Sequence, residues 1–163
     1  RISWHIPFGI LVTFFLLLHL ITFKDIRFSL GGVLLGAVFM ATDMPSSASS
    51  KVGRLYYGIM IGVSAILFLI NDVRYEYMSY SILIVNGFSL LIDKVFKPVV
   101  WAEKINWKKR IMQSVLLTIL IVGVSFLIVL LHKEELISYL VYAYIVFIIV
   151  RFGCLYKKKV AFN

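Results

Sequence analysis

An all-α integral membrane protein with about six transmembrane helices is the fold class this sequence predicts, and three observations carry it. Hydrophobic types fill 61% of the 163 positions against 15% charged, and mean hydropathy is +0.96. Soluble domains hold about 45–50% apolar and about 25% charged residues, so hydrocarbon is the solvent this composition suits. Six apolar stretches approach the roughly 20 residues that a spanning helix needs. The cationic residues fall between those stretches, unevenly distributed, as they do around membrane spans.

The stretches run from Ile6 to Phe23, Ile26 to Thr42, Leu55 to Ile70, Tyr77 to Ile92, Ile111 to Leu131 and Leu136 to about Leu155. In the first five the only charged residue is Arg27. The first stretch is too long for the apolar core of a cleavable signal, and no small-x-small cleavage site follows it. Because the chain opens on Arg1, further residues are expected upstream. The second stretch is the shortest in effect, since Gly31, Gly32 and Gly36 interrupt it, and a re-entrant half-helix is the alternative there. Gly32 with Gly36, and Gly58 with Gly62, each form GxxxG, which predicts close packing of the second span on the third. His132 to Glu135 makes a short polar turn, so the last two spans are expected to be antiparallel neighbours.

With six spans the two ends and the even-numbered loops share a side. Thirteen of the seventeen Lys and Arg fall there, including Lys51, Arg54, Lys94, Lys108, Lys109 and Arg110. The others, Lys24, Arg27, Arg74 and Lys133, fall on the opposite side. Both termini of this multi-pass protein are therefore expected in the cytoplasm. The net charge of +9 sits between apolar runs and forms no arginine-rich, aromatic-interleaved stripe, which excludes nucleic acid as a partner. Residues 102–110 read as a basic cytoplasmic linker held at anionic headgroups. A single cysteine, Cys154, excludes an intrachain disulfide and any Cys-based metal cluster. The sequence holds no Walker loop, GxGxxG fingerprint, HExxH site or nucleophilic triad, so independent enzymatic chemistry is not expected.

Three elements in order carry a resemblance. They are Ile2-Ser3-Trp4-His5-Ile6-Pro7 leading into a span; Gly31-Gly32 followed by Phe39-Met40-Ala41-Thr42-Asp43; and Asn86 through Leu91-Ile92-Asp93 to Pro98. Together they resemble the C-terminal portion of the D-subunit of the Rnf electron-transport complex, related to the B-subunit of the sodium-translocating NADH:quinone oxidoreductase. The resemblance covers Arg1 to about Trp101, and it implies a flavoprotein membrane subunit of a redox-driven ion pump. It further implies that the first four spans are similar to the second half of an inverted-repeat, urea-transporter-like fold. Other Rnf-type membrane subunits are the implied partners. The implied cofactor is FMN, but its usual attachment motif, S-G-A-T upstream of the Trp4-His5 element, is absent from this chain. Leu90 replaces the usual proline before L-I-D. Residues 111–163 add a helical hairpin with a basic tail.

Within that frame a few residues are candidates for chemistry. The loop from Asp43 to Ser49 imitates the flavinylation pattern, with Ser46 at its first serine and Ser49 at the acceptor position, although such a loop reads first as an ordinary helix terminator. Thr42 and Asp43 are ion or coupling candidates, since a carboxylate at the end of a membrane helix must pair, hydrate or hold a cation. Asp43 reads alternatively as a cap, or as a partner of Lys51 or Arg54. Asn86, in mid-span, needs a hydrogen-bond partner and lines a flavin or ion path or bonds across to another helix. Tyr56, Tyr57, Tyr75, Tyr77 and Tyr80 read as an interfacial aromatic belt. His5 reads as an interface anchor beside Trp4, and His19 as hydrogen-bonded to a neighbouring helix. Two rival functions remain: a flavin-free membrane transport or scaffold protein, and a gene fragment without independent function.

Overall fold

The apolar stretches become helices whose ends are set by local capping chemistry. The computed structural model describes residues 4–21, 29–43, 47–96 and 107–160. They form two units, Arg1–Leu127 and Ile128–Asn163. In the first unit α1 is His5–Leu20, and Pro7 lies in its first turn, where a missing N–H costs nothing. Ser29 caps α2, Leu30–Leu35, by accepting the Gly32 amide at 3.3 Å. The helix then widens into a π-helical turn, Gly36–Met40, closed by the Ala41 amide on the Gly36 carbonyl at 2.8 Å. Helix α3, Lys51–Ile70, starts at Ser50, whose hydroxyl accepts the Gly53 amide at 3.0 Å. It stops where Asp72 turns left-handed at φ 65°.

Helices α4, Tyr77–Gly87, and α5, Ser89–Val95, are one apolar run bent by 53°. The bend has a local cause. Gly87 and Ser89 flank Phe88, whose amide reaches back only to the Val85 carbonyl at 3.0 Å, tightening the turn. Helix α6 runs from Trp107 to Lys133, so the basic residues Lys108, Lys109 and Arg110 form its first turn. The second unit begins within the last turns of α6. There Glu135, left-handed at φ 55°, makes a two-residue break before α7, Leu136–Val160.

Helix α3 is the centre of the first unit. It packs most extensively on α1, and the contact is backbone to backbone. A Cβ on Gly58 would stand 2.6 Å from the Ile6 carbonyl oxygen and 3.3 Å from the Gly9 Cα. One on Gly62 would stand 2.9 Å from the Thr13 Cβ. The Gly58/Gly62 face therefore receives α1, whereas the paired GxxxG patterns predict the second span there. Gly36 instead faces α4, where a Cβ would stand 2.5 Å from the Met78 Cγ. A small-residue pattern marks a close contact, but the partner depends on how the whole bundle closes.

These contacts also set helix direction. Ile6 and Gly9 meet Gly58 while Thr13 meets Gly62, so α1 and α3 are parallel. Tyr56 bonds Thr118 at 2.8 Å and Ser125 donates to Ser64 at 3.1 Å, so α6 is parallel to α3 as well. The bent pair runs back. Tyr80 lies on Phe68 near the C-terminal end of α3, with ring centroids 5.8 Å apart, and Asp93 lies at its N-terminal end beside Ser49 and Ser50.

Helices α3 and α6 are each long and apolar enough to cross a membrane, and α4 with α5 makes a third span if the bent pair is counted as one. Helix α1, the segment Leu30–Met40 and the stretch Leu136–Ile149 are shorter apolar helices. The six stretches expected from sequence thus appear as helix of unequal length. Ser29 starts the second helix later than hydropathy alone would, Ser50 starts α3 earlier, and the bend divides the fourth stretch. Helix α6 turns Met112, Leu116, Ile119 and Phe126 outward, as lipid contact requires.

Replacing Gly58 by leucine should force α1 off α3 and lower stability by about 1–3 kcal/mol or more. Thermal unfolding of the detergent-solubilised chain measures this. Gly123→Ala, where an added Cβ meets nothing within 4 Å, should leave the midpoint unchanged or raised.

Candidate functional site

Asp43 and Asp93, from motifs far apart in sequence, lie at the same end of α3. Thr42 and Asp43 leave the π-helical turn there, and the Thr42 hydroxyl donates back to the Val38 carbonyl, which ties the exit of the helix to its own backbone. Asp43 is exposed, and its carboxylate lies within electrostatic range of the Tyr57 hydroxyl. Its main-chain carbonyl accepts the Ser47 amide at 3.1 Å. Capping of α3 belongs to Ser50, so the side chain of Asp43 is not the cap.

Tyr57 is the residue that links this end to the bent pair. It is fully buried, and its hydroxyl donates to the Asn86 side-chain oxygen just before the bend at Phe88. Asn86 thereby finds the cross-helix partner its mid-span position demands. The aromatic-belt expectation fails for Tyr57 and for Tyr77, which is 3% exposed and donates to the Ser29 carbonyl at 3.3 Å. Tyr75 is 96% exposed. Tyr57 follows Gly53 by four positions and precedes Ile61 by four, a helical stripe of buried residues that would have assigned it to the interior.

Asp93, part of the L-I-D element, lies at the same end of α3 and was not singled out by sequence reasoning. Its carboxylate accepts the Ser49 amide at 2.8 Å and the Ser50 amide at 3.5 Å, closing α5 onto the loop that starts α3. The same loop is tied a third time, by Arg54 Nε donating to the Ala48 carbonyl at 3.0 Å, and Ala48 is buried. Of the two flavin-acceptor candidates, Ser46 lies outside the described residues, while Ser49 is exposed but anchored by its amide. Its hydrogen bond to Asp93 uses the main-chain amide and leaves the Ser49 hydroxyl exposed. Among the described residues no three His, Cys, Asp or Glu side chains gather as a metal would require. His19 is exposed in the last turn of α1, not held against a neighbouring helix.

The arrangement is a boundary carboxylate, a buried hydroxyl and an amide reaching it from the bent pair. Carboxylate, hydroxyl and amide oxygens of this kind are the donors that a hard cation takes. Tyr57→Phe should leave Asn86 without its donor and cost about 1–3 kcal/mol of stability. Adding Asn86→Leu to that variant should recover much of the loss, because removing both partners leaves no unsatisfied polar group. Denaturation midpoints of the two variants provide the comparison.

The sequence model of the NQR2, RnfD, RnfE family matches residues 1–102. Among relatives, the D-subunit of the ion-translocating oxidoreductase complex of Alcanivorax borkumensis is 35% identical over 111 residues, 63% of this chain and 32% of that protein. The D-subunit of the Na(+)-translocating ferredoxin:NAD(+) oxidoreductase complex of Acetobacterium woodii is 37% identical over 97 residues, 59% of this chain and 30% of that protein. The B-subunit of the Na(+)-translocating NADH-quinone reductase of Haemophilus influenzae is 42% identical over 70 residues, 42% of this chain and 17% of that protein. The chain thus spans about a third or less of the length of these relatives. The matched segment holds α1 to α5 and every described residue of the Asp43, Tyr57, Asn86 and Asp93 group, and through it this chain belongs to the NQR2, RnfD, RnfE family.

Proposed function

We propose that this chain is a membrane subunit, or part of one, in a redox-driven ion-translocating electron-transport complex of the Rnf type. The observation that carries the reading is the family match over residues 1–102, inside which two acidic elements far apart in sequence converge on one end of α3. Asp43, assisted by Thr42, is the group that meets the translocated cation, sodium or proton. Tyr57 and Asn86 continue the polar line inward from it. For a covalent flavin, Ser49 offers an exposed hydroxyl in a loop that imitates the attachment pattern, while the usual S-G-A-T motif is absent from this chain. The chain works with other Rnf-type membrane subunits, as its relatives are subunits of such complexes.

The proposed topology is six crossings in a bacterial inner membrane with both termini cytoplasmic. Its support is the alternation of helix direction in the first unit, together with cations at the N-terminal ends of α3 and α6. In a Cys154→Ala background, cysteines replacing Arg74 and Lys109 should be labelled from opposite sides of the membrane. Labelling of both from one side would overturn the six-span arrangement.

Asp43→Asn keeps the size of the side chain and removes its charge. It should leave membrane levels near normal and reduce electron-transfer-coupled cation uptake by the reconstituted complex to a small fraction of wild type. Unchanged coupling would take Asp43 out of the cation path. Copurification with other complex subunits tests the assignment as a whole. A monodisperse monomer that associates with none of them would favour the transport or scaffold alternative.

A further inference from the structure

The polar line from Asp43 toward the bent pair is closed in this structure. Tyr57 has 0% of its surface exposed, and its hydroxyl donates to Asn86 on α4. Anything that reaches that hydroxyl from the end of α3 where Asp43 lies must pass a covering element, and α5 is one such cover. Its buried side chain, Ile92, is 0% exposed and lies over Gly53, one turn before Tyr57 on the same face of α3. A Cβ on Gly53 would stand 3.5 Å from the Ile92 Cγ2 and 3.5 Å from the Ala48 Cβ. Leu90 and Leu91 of α5 face outward, 76% and 41% exposed.

The joint between α4 and α5 is a single turn residue. Phe88 donates its amide to the Val85 carbonyl of α4 at 3.0 Å, and its own carbonyl accepts the Ile92 amide of α5 at 2.9 Å. A change in φ and ψ at Phe88 therefore turns α5 without opening either bond. Gly87 beside it leaves room for the turn, since a Cβ there would meet nothing within 4 Å. At its other end α5 is held by a charge: the Asp93 carboxylate accepts the Ser49 and Ser50 amides that start α3, at 2.8 Å and 3.5 Å. A carboxylate is well placed at a helix start, and its hydrogen bonds are stronger than neutral ones. Phe96, just past α5, lies 4.9 Å from the Tyr56 ring. Turning α5 outward thus parts Ile92 from Gly53, Asp93 from two amides and Phe96 from Tyr56, all contacts made from Ile92 onward.

We propose that α5 is a hinged lid on the Tyr57–Asn86 pair, turning at Phe88 and latched by Asp93 on the amides that start α3. The proposal rests on the reading of Asp43, Tyr57 and Asn86 as one cation path. With the latch closed, Ile92 covers the α3 face that leads to Tyr57. With α5 turned outward, the step at Gly53, which carries no side chain, opens toward the Tyr57 hydroxyl. Asn86 precedes the hinge and stays bonded to Tyr57 throughout. The 53° bend is what separates the two roles, since an unbroken helix from Tyr77 to Val95 would move Asn86 and Ile92 together.

Double electron–electron resonance on the whole chain in lipid vesicles, in a Cys154→Ala background, tests the lid. Spin labels at Leu90→Cys on α5 and Leu16→Cys on α1 follow it, and labels at Leu83→Cys on α4 and Leu16→Cys follow the helix before the hinge; all three positions are exposed. The lid pair should give one main distance, with a second, displaced distance in at most about 10% of molecules. Asp93→Ala should raise the ratio of displaced to main form about tenfold, and Asp93→Asn, which keeps a neutral acceptor, by less. Ile92→Ala should raise it without touching the charge, and the Leu83 pair should stay the same in every variant. An unchanged lid distance in folded Asp93→Ala or Ile92→Ala chains overturns the proposal. So does an equal change in the Leu83 pair, because the bent pair then moves as one body. Coupled cation uptake answers separately for the path. Loss of uptake in Asp43→Asn with an immobile α5 removes the lid and keeps the path, whereas a mobile α5 with uptake intact in Asp43→Asn keeps the motion and removes the path.

Discussion

The close approach of α1 to α3 is the contact on which the first unit depends. In hydrocarbon, helices gain nothing from hiding apolar side chains, so association rests on van der Waals contact and on hydrogen bonds between helices. At Gly9, Gly58 and Gly62 the two backbones are near enough that no β-carbon fits without displacement. That contact lets α1 and α3 run side by side in the same direction. The intervening chain must then travel back, and the segment Leu30–Met40 lies on that return. The burial of Tyr57, Ser64 and Phe68 follows, since α3 becomes the helix that the others surround.

Much of this was legible in the sequence, and the failures are specific. Composition and the six apolar stretches pointed to the all-helical membrane class. The serine caps at Ser29 and Ser50 lie beyond what hydropathy can see, which is why α3 begins at Lys51 and not at Leu55, and why α2 begins at Leu30. The GxxxG pairs correctly marked close packing but not its partner, because a one-dimensional pattern does not encode which neighbour closes on it. The site was half visible. Thr42 and Asp43 stood out as polar groups at a helix end, and Asn86 as a polar group in mid-span. Tyr57 was hidden by its chemistry, since tyrosine suits both an interface and a core, and only its four-residue spacing from Gly53 and Ile61 separates the two. Asp93 is visible as part of a motif, but nothing local to it announces that its carboxylate ends on the amides of Ser49 and Ser50.

Helix α6 lies beyond the family-matched residues, yet it is joined to α3 by two polar contacts roughly two turns apart, Tyr56 with Thr118 and Ser64 with Ser125. Each is a modest interaction in a membrane, on the order of 0.6 kcal/mol. Their value is in register. Hydroxyl pairs on facing helices fix rotation and translation in a way that lipid-like side chains do not. The outward face of α6 is left to Ile, Leu, Met and Phe. The added helix is therefore keyed to the family segment by its polar residues and to the bilayer by its apolar ones.

The wide turn at Gly36–Met40 sets the phase of everything after it. An α-helix rotates by about 100° per residue. A turn closed from Ala41 to Gly36 holds one residue more than an α-turn, so the residues beyond it are rotated back by about that angle. A helical wheel drawn from Leu30 would consequently aim Thr42 and Asp43 toward the wrong neighbour. The extra residue also makes this turn tolerant of length: a related chain one residue shorter between Gly36 and Met40 would present the same two side chains in the same direction from an uninterrupted α-helix. Alignments across this stretch are best anchored on Asp43 and allowed a gap within the turn.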